Sequence, residues 1–287
     1  MDSRNEATRS AACICCQGNE TVDYLDGLLK CVVCGHVWAD TSLTADELGR
    51  LYSLSYFKGE EYLDYELEET ALRRNFRSRV RELSRRHPQR GSLWEIGCAY
   101  GYFLSEAARY FDVAGCDISE DAVRYARNTL GLDASCVDYL DLDSQTTYDV
   151  ICMWDVIEHL QNPHLYLEKA AAELRPGGTL AFSTGDIGSF LARLQGAKWR
   201  QIHPPTHLHY FTEKSAVALL ERLGFGNIEV RRPTFWRSAD AIAHHMFANP
   251  PDKWSTPIYR VLHAARLLNF SIPLNTRDLM TVYATRF

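Results

Sequence analysis

Short apolar runs separated by amphipathic segments dominate the middle and the end of this chain. The runs have the length of strands, and the segments between them carry apolar residues at helical spacing. Strands that alternate with helices form a largely parallel sheet covered by helices on both faces. Seven strands are predicted, at residues 93–96, 113–117, 135–137, 148–154, 179–182, 228–230 and 279–284, the fifth of them after a helix end and a Pro-Gly-Gly turn at residues 174–178.

Two segments depart from this alternation. Residues 66–87 carry Phe76, Val80 and Leu83 near helical spacing, which predicts an amphipathic helix ahead of the first strand of the sheet. Residues 237–270, between the last two predicted strands, are long for a connection and contain a second amphipathic pattern. We expect this insertion to cover a substrate or to form a dimer contact.

The first strand of the sheet ends in an acidic residue and a glycine turn. Glu95 is followed by Gly97 and Gly101, and residues 102–108 then have the pattern of a helix. A backbone without side chains at this point can press against a bound cofactor. The next predicted strand ends in Asp117, whose carboxylate can accept hydrogen bonds from ribose hydroxyls. The pattern therefore predicts a nucleoside site at this edge of the sheet.

The spacing of the glycines limits which nucleoside fits. A dinucleotide fingerprint needs G-x-G-x-x-G so that the helix N-terminus can hold a pyrophosphate. Here Cys98 and Ala99 stand where the middle glycine would be. The Glu95 carboxylate would also repel a pyrophosphate and attract an ammonium group. We therefore expect a cofactor that carries an amine and a ribose rather than a diphosphate.

Four segments in order resemble the motifs of the class I S-adenosylmethionine-dependent methyltransferases. They are the E-x-G-x-x-x-G turn at residues 95–101, Asp138 after a short strand, residues 148–160 around the fourth strand, and the Pro-Gly-Gly turn within residues 174–182. The resemblance covers roughly residues 90–232. It implies an α/β fold with a doubly wound, Rossmann-like sheet of seven strands, the seventh antiparallel. It also implies S-adenosylmethionine as the cofactor, held by Glu95, Gly97, Cys98, Gly101, Asp117, Ile118, Asp138, Tyr139 and Trp154.

Two C-x-x-C pairs lie near the N-terminus, Cys13 with Cys16 and Cys31 with Cys34, and fourteen residues separate them. Each turn lets two thiolates reach one ion, and two such turns complete a tetrahedral zinc site. Such a site has no position left for water, so it would hold the fold rather than catalyse. A structural zinc ribbon is therefore predicted at residues 1–40.

Other interpretations of these cysteines remain open. Cys15 could replace a neighbouring ligand, and His36 is a weaker candidate. Two disulfides or free buried thiols are further alternatives, both less favoured in a cytosolic enzyme.

Composition and charge narrow the function classes. A chain of 287 residues can hold one large α/β domain or two domains. Its net charge of −6 gives no global attraction to nucleic acid or to an anionic membrane. The sequence has no long apolar run of membrane-spanning length and no signal-peptide pattern. Because its nine cysteines fit a reducing compartment, a cytoplasmic location is expected, with no membrane or nucleic-acid partner.

The region ahead of the sheet, residues 41–89, contains two segments whose function can each be interpreted in two ways. Seven arginines in the predicted helix could bind phosphate or nucleic acid, but the acidic residues before and among them favour a solvated helix with ion pairs. Residues 51–65 are rich in tyrosine and form either a linker packed on the core or a lid over the cofactor. The domain order is thus ribbon, helical and aromatic lid segment, and methyltransferase domain at residues 90–287.

Histidines cluster after the fourth and fifth predicted strands: His159 first, then His203, His207 and His209. Methyl transfer is an in-line displacement from a sulfonium, so the enzyme mainly aligns the acceptor with the methyl group. A hydroxyl, acidic carbon or protonated amine also needs a nearby base. We expect His207 to be that base, with His159 second and His209 third, while a structural role is equally compatible with any one of them.

A catalytic metal is the alternative. The sequence from Asp155 to His159 resembles the metal-binding segment of RNA 3′-end 2′-O-methyltransferases, in which glutamate usually stands at the position of Asp155. Glu158, His159 and a loop histidine could together hold such a metal. The Val-Ile-Glu-His string is also widespread in metal-free small-molecule methyltransferases, so the metal-free interpretation is favoured.

The domain order is similar to that of sugar C-methyltransferases of secondary metabolism. This chain ends at its seventh predicted strand, without the further C-terminal domain of those enzymes, so O- and N-methylation stay open beside C-methylation. We predict methyl transfer to a small molecule such as a sugar, a sugar nucleotide or a secondary metabolite, by a monomer or a homodimer. The alternatives are an RNA or protein methyltransferase that grips its substrate with the ribbon and the arginine-rich helix, and a non-catalytic binding module.

Overall fold

The computed structural model of the chain describes residues 12–40, 68–143, 146–247 and 255–287. The tyrosine-rich segment at residues 51–65, predicted as a linker or lid, lies outside these ranges. Within them the chain forms a seven-stranded sheet, a four-stranded sheet and a two-stranded sheet.

Strands and helices alternate through the central part of the chain, as the apolar pattern predicts. The strands are β1 (Thr21–Leu25), β2 (Leu28–Cys31), β3 (Val37–Ala39), β4 (Ser92–Ile96), β5 (Asp112–Asp117), β6 (Ala134–Cys136), β7 (Tyr148–Trp154), β8 (Leu174–Gly185), β9 (His209–Tyr210), β10 (Phe225–Arg231), β11 (Phe235–Ser238), β12 (Ser271–Leu274) and β13 (Leu279–Arg286). The helices are α1 (Glu69–Arg86), α2 (Tyr102–Ala107), α3 (Glu120–Asn128), α4 (Pro163–Glu173), α5 (Phe190–Gln195), α6 (Glu213–Arg222), α7 (Ala239–Phe247) and α8 (Ser255–Ala264).

The central sheet has the strand order β10-β13-β8-β7-β4-β5-β6. Strands β4 to β8 run parallel to one another, and β13 runs antiparallel to both β8 and β10. This confirms the predicted Rossmann-like sheet with an antiparallel last strand. The carboxyl ends of β4, β5 and β7 therefore meet at one edge, where ligands bind in open α/β sheets.

Both faces of this sheet are buried, because successive residues of β7 pack into the cores on its two sides. Val150 and Cys152 pack in the core beneath α1, α2 and α3, while Ile151 and Met153 pack in the core beneath α4 and α6. Successive strand residues point to opposite faces, so a strand covered on both sides is apolar at every position. The continuous apolar run that predicts this strand has that cause.

Helix α1 is the predicted arginine-rich helix, and most of its arginines form ion pairs as expected. Arg73 pairs with Glu69 at 2.6 Å, and Arg77 pairs with Glu106 on α2 at 3.1 Å. Arg79 is the exception, because it lies on the apolar face of α1 and is only 7% exposed. A buried guanidinium needs anionic or aromatic partners, so Arg79 points to a charged site beneath the helix.

The N-terminal cysteine-rich segment forms an antiparallel sheet of β1, β2 and β3, to which β9 adds a fourth strand. Val37 pairs with Tyr210, and Trp38 pairs with His209. The predicted ribbon is therefore not closed on itself. A strand from the loop after β8, well over a hundred residues along the chain, completes its sheet.

The insertion predicted at residues 237–270 is bounded by β11 and β12, which pair as a two-stranded sheet at its base. Helices α7 and α8 lie between these strands. The base is tied to α1, because Asn75 exchanges hydrogen bonds with the backbone of Trp236 at 2.8 and 2.9 Å. Every helix in the described part of the chain is too short or too polar to cross a membrane.

Candidate active site

The glycine turn after β4 has an unusual backbone. Positive φ angles alternate along it, at 73° for Gly97, 45° for Ala99 and 79° for Gly101. These angles fold the turn back over the end of β5, where the Gly97 and Cys98 N–H groups donate to the Cys116 carbonyl at 2.8 and 3.0 Å. A Cβ atom on Gly97 would lie 2.5 Å from Val156 Cγ2, so no larger residue fits there without a shift.

Asp117, at the end of β5, links this strand to the glycine turn that follows β4. Its Oδ2 accepts a hydrogen bond from the Ala99 N–H at 2.8 Å, and its Oδ1 accepts one from the Ser119 N–H at 2.9 Å. Burial raises the pKa of Asp117, and these two backbone hydrogen bonds oppose the rise. Each carboxylate oxygen can accept more than one hydrogen bond, so ribose hydroxyls can still be accommodated.

Glu95 is the least satisfied group of the site. It is 3% exposed, and its Oε2 has no hydrogen-bond partner among the described residues. Burial raises the pKa of Glu95, while the Arg79 guanidinium opposes the rise. A buried carboxylate is costly unless it is paired. The ammonium group of an amino-acid-bearing cofactor at the glycine turn would supply that pair.

The other predicted cofactor residues divide into two groups. Asp138 and Ile118 lie at the rim, where the Asp138 carboxylate accepts a hydrogen bond from Tyr166 at 2.7 Å and Ile118 is 50% exposed. Tyr139 turns the other way, because its hydroxyl donates to Glu173 at 2.6 Å inside the core. The Tyr139 hydroxyl is thus engaged inside the core, and a cofactor contact of this residue stays a prediction.

Cys98 and Trp154 are also buried at this edge. Cys98 packs in the core beneath α2, and burial raises the pKa of its thiol. The Trp154 ring lies 5.2 Å from the Phe103 ring, and the Arg79 guanidinium stands 4.5 Å from its centre. These two side chains support the wall of the site, and their backbone is what a cofactor can contact.

A second group of side chains lies beyond the end of β7. Ligating atoms of Glu158, His159 and His207 all lie within 4.8 Å of one another. His159 Nδ1 is 2.8 Å from the Thr206 carbonyl, and His207 Nδ1 is 2.9 Å from the Gln201 carbonyl. A carbonyl only accepts hydrogen bonds, so both Nδ1 atoms carry protons and Nε2 is the basic nitrogen of each neutral ring.

Burial decides the charge of this group. It lowers the pKa of His159 to about 4, and it lowers the pKa of His207 well below the usual histidine value. Burial, reinforced by the nearby Asp155 carboxylate, raises the pKa of Glu158 to about 8. Without a bound cation all three side chains are therefore mainly uncharged near pH 7. Glu158 Oε2 has no partner among the described residues.

Asp155 connects the two parts of the site. Its φ of 56° is rare for a residue other than glycine, and such strain is common at functional sites. The Ser183 hydroxyl donates to its Oδ1 at 2.9 Å, and Arg79 lies 3.5 Å from its Oδ2. Sequence patterns do not single out Arg79 or Ser183. The one available signal is an arginine on the apolar face of α1.

The remaining loop histidines have different surroundings. The His203 ring centre lies 3.9 Å from the His207 ring centre with the planes inclined by 42°, and its Nδ1 is 2.6 Å from the Thr206 hydroxyl. His209 lies in β9, where Nδ1 is 3.2 Å from His36 Nε2 and Nε2 is 3.1 Å from a backbone carbonyl. We therefore assign His209 to the contact with the ribbon instead of to the catalytic group.

The four cysteines predicted as metal ligands come together in the ribbon. Their sulfurs all lie within 4.8 Å of one another, with 3.6 Å from Cys13 to Cys34 and 3.6 Å from Cys16 to Cys31. Zinc bonded to four sulfurs at 2.3 Å places them about 3.8 Å apart. The four thiols therefore fit a tetrahedral zinc ion.

Cys15 and His36 border this group. Cys15 is fully buried, and burial raises the pKa of its thiol, so it stays protonated. His36 Nδ1 lies 3.7 Å from Cys13 Sγ, which suits a hydrogen bond to a ligand sulfur better than a metal bond. The tetrad of Cys13, Cys16, Cys31 and Cys34 remains the best ligand set in the described part of the chain.

Comparison with known proteins agrees with this geometry. Residues 68–230 match the profile of a family described as a methyltransferase domain. A ubiquinone biosynthesis O-methyltransferase of Nitrobacter winogradskyi is 33% identical over 98 residues, which are 32% of this chain and 38% of that protein. A ubiquinone biosynthesis O-methyltransferase of Coxiella burnetii is 26% identical over 152 residues, 45% of this chain and 64% of that protein. The chain thus spans about two fifths to two thirds of these relatives.

Solved structures show the same fold at low sequence identity. A protein of Thermotoga maritima, described as an S-adenosylmethionine-dependent methyltransferase and possible histamine N-methyltransferase, has a TM-score of 0.51 at 17% identity, covering 78% of this chain and 92% of that one. Magnesium protoporphyrin IX methyltransferase of Synechocystis, with bound S-adenosylhomocysteine, has a TM-score of 0.51 at 16% identity, covering 81% and 91%.

Proposed function

This chain belongs to the methyltransferase-domain family, and from that premise we propose that it transfers a methyl group from S-adenosylmethionine to a small-molecule acceptor. The observation that carries the proposal is the buried Glu95 carboxylate beside the glycine turn, whose Oε2 has no hydrogen-bond partner among the described residues. In the proposed complex Glu95 binds the cofactor ammonium, Asp117 binds the ribose hydroxyls and Asp138 binds the adenine amino group. The S-adenosylhomocysteine in the Synechocystis structure supports the choice of cofactor.

A hydroxyl on a small molecule is the acceptor class we favour. The similar proteins of Nitrobacter and Coxiella are O-methyltransferases by name. The arginines of α1 that could have gripped a macromolecule are instead partly engaged within the chain, as the Arg73–Glu69 and Arg77–Glu106 ion pairs show. This weakens the RNA or protein substrate hypothesis and leaves the small molecule as the better supported one.

We propose that His207 receives the acceptor proton. Its Nδ1 proton is held by the Gln201 carbonyl, which leaves Nε2 as the basic nitrogen. Because its pKa is depressed, the ring is neutral and able to accept a proton at pH 7. A base of this kind in the right position contributes about 10²–10⁴ to a reaction rate. His159, at 4.5 Å between ring centres, is the second candidate.

The same three side chains also fit a divalent metal ion. Glu158 Oε2, which has no partner among the described residues, is available as an oxygen ligand for a cation. The backbone carbonyls that accept hydrogen bonds from both Nδ1 atoms orient the two rings, as such partners usually do for metal-binding histidines. Glu158, His159 and His207 would hold the ion. When bound, such an ion lowers the pKa of a coordinated hydroxyl.

The proposed function is tested by measuring transfer of labelled methyl from S-adenosylmethionine to phenols, catechols, sugars and sugar nucleotides. Once an acceptor is found, we expect His207→Ala to reduce turnover about 100-fold or more while the affinity for S-adenosylmethionine stays unchanged. His164→Ala, at a half-buried histidine of α4, is the control and should retain turnover. Equal turnover in both variants would remove His207 from the mechanism.

Glu158→Gln distinguishes the base from the metal. Without a metal the Glu158 carboxyl is mainly protonated at pH 7, since its pKa is about 8, and glutamine closely imitates that neutral group. We therefore expect turnover to change less than about threefold in the metal-free case. If a metal is used, loss of the carboxylate ligand should lower turnover about 10-fold to 100-fold or more, with partial recovery at high metal concentration. Turnover measured across a series of metal concentrations decides between the two.

A further inference from the structure

The ribbon and the loop that carries His207 are joined through the backbone. The Ala39 N–H donates to the Leu208 carbonyl at 2.8 Å, which extends the pairing of β3 with β9. On its other side, the Leu208 N–H donates to the Glu158 carbonyl at 2.8 Å. The residue next to His207 thus bridges the edge of the ribbon and the backbone of the proposed catalytic group.

A pair of histidines makes a second connection. His36 and His209 stack with ring centres 5.2 Å apart and planes inclined by 8°, and their facing nitrogens are 3.2 Å apart. Beyond the pair, His36 Nδ1 lies 3.7 Å from the sulfur of Cys13, and His209 Nε2 lies 3.1 Å from the carbonyl of Gln161. The chain of contacts runs from a cysteine of the metal tetrad to a residue two positions from His159.

The two C-x-x-C turns are also held from the methyltransferase side. The Thr212 hydroxyl, at the N-terminus of α6, donates to the Cys34 carbonyl at 3.0 Å, and Arg222 at the end of α6 donates to the Ile14 carbonyl at 2.7 Å. The cysteines themselves belong to the same apolar core as Phe211 and the central sheet. Both cysteine turns of the ribbon are therefore held against the domain.

The backbone hydrogen bonds within the loop are long. The Thr206 and His207 N–H groups donate to the His203 carbonyl at 3.2 and 3.4 Å, and Pro204 and Pro205 have no N–H to donate. Side chains supply the shorter bonds, such as the one from the Thr206 hydroxyl to the His203 carbonyl at 2.8 Å. A loop with weak backbone bonding opens more easily when its outside partners are lost. For residues 201–211 the ribbon supplies one set of those partners.

We propose that the zinc-loaded ribbon positions the catalytic loop, and that His36 and His209 are the positioning residues through which it does so. When the ribbon is intact, β3 and His36 hold β9, and β9 fixes Leu208 and with it the place of His207 beside Glu158. The role of His207 rests on the proposed function. The coupling between ribbon and loop does not, because it can be measured with neither acceptor nor cofactor.

The test is hydrogen–deuterium exchange on the full, zinc-loaded chain, followed in peptides that cover residues 201–211 and, as an internal reference, β7. We expect His209→Ala to raise exchange in the loop about fivefold to tenfold, as the loss of one or two hydrogen bonds would. Exchange in β7, zinc content and S-adenosylmethionine affinity should not change. His263→Ala, at an exposed histidine of α8 beside Asp240 at 2.9 Å, is the matched control and should leave the loop as in the unaltered protein.

Two further measurements can contradict the proposal. His209→Asn retains an amide near the position of Nδ1, so it should restore part of the loop protection, which a purely steric role would not allow. Removing zinc from the unaltered protein with a chelator should raise loop exchange at least as much as His209→Ala. Unchanged loop exchange in either experiment, or faster exchange that includes β7 equally, would overturn the proposal. An absence of methyl transfer with the predicted loop protection would count against the proposed function alone.

Discussion

Asp117→Ala is expected to lower the affinity for S-adenosylmethionine about 100-fold or more. The variant removes the proposed acceptor for the ribose hydroxyls, and charged hydrogen bonds of this kind contribute about 1.5–3 kcal/mol each. It also leaves the backbone N–H groups of Ala99 and Ser119 without their partner, so the glycine turn loses its link to β5. Isothermal titration calorimetry with S-adenosylmethionine and S-adenosylhomocysteine measures the effect.

Asp112→Ala is the matched control for that measurement. Asp112 begins the same strand at its opposite end, and its side chain is 72% exposed beside Arg90 at 2.8 Å. Exposed ion pairs contribute little to stability, so this variant should bind S-adenosylmethionine as the unaltered protein does. Similar losses in the two variants would show that Asp117 acts through the stability of β5 and not through the cofactor.

Cys31→Ser should abolish zinc binding by the proposed four-cysteine site and unfold the ribbon. Zinc binding contributes on the order of 10 kcal/mol to the folding of small metal-held units, and a short ribbon cannot replace it with apolar burial. We expect zinc content to fall from one ion per chain toward none, and a protease to cut within residues 12–40 while the central sheet resists. Elemental analysis and timed proteolysis measure the two effects.

Cys136→Ser provides the comparison for the zinc experiment. Cys136 is an exposed cysteine at the end of β6, with its sulfur 3.8 Å from the Ile118 carbonyl and far from the tetrad in sequence. The variant should keep its zinc and its resistance to protease. A Cys31→Ser protein that retained both would refute the four-cysteine site.

The elements that could be predicted from the sequence are those whose signal is local. An apolar run such as Val150 to Met153 is a buried strand whichever way the chain around it folds, because neither face can be left in water. The turn from Gly97 to Gly101 is also local, since its positive φ angles favour glycine whatever binds there. The signal of each C-x-x-C pair is local as well, because the spacing alone lets two thiolates reach one ion.

The remaining features depend on contacts between distant parts of the chain. Strand β9 has only two residues, and its pairing with β3 joins Trp38 to His209 across most of the sequence. A pattern of three loop histidines does not reveal that His209 faces the ribbon while His207 faces Glu158. Arg79 could not be told from the other arginines of α1, because its burial follows from Trp154 and Asp155 on another strand.

The distribution of roles in the site follows from these long-range contacts. The sequence predicts the cofactor side, where the strand ends place Glu95 and Asp117 next to each other. The proposed acceptor side is assembled from the segment after β7 and the loop after β8, and its geometry depends on how that loop docks. This is why the resemblance indicates the methyl donor more sharply than the acceptor.

Titration calorimetry of the purified chain with S-adenosylhomocysteine, and in parallel with NAD⁺, tests the central claim most directly. Glu95 Oε2, which is buried without a partner in the described part of the chain, and the turn without a middle glycine predict that S-adenosylhomocysteine binds with one molecule per chain and that NAD⁺ does not bind. Binding of NAD⁺ in preference to S-adenosylhomocysteine, or no binding of S-adenosylhomocysteine by folded protein, would contradict the account.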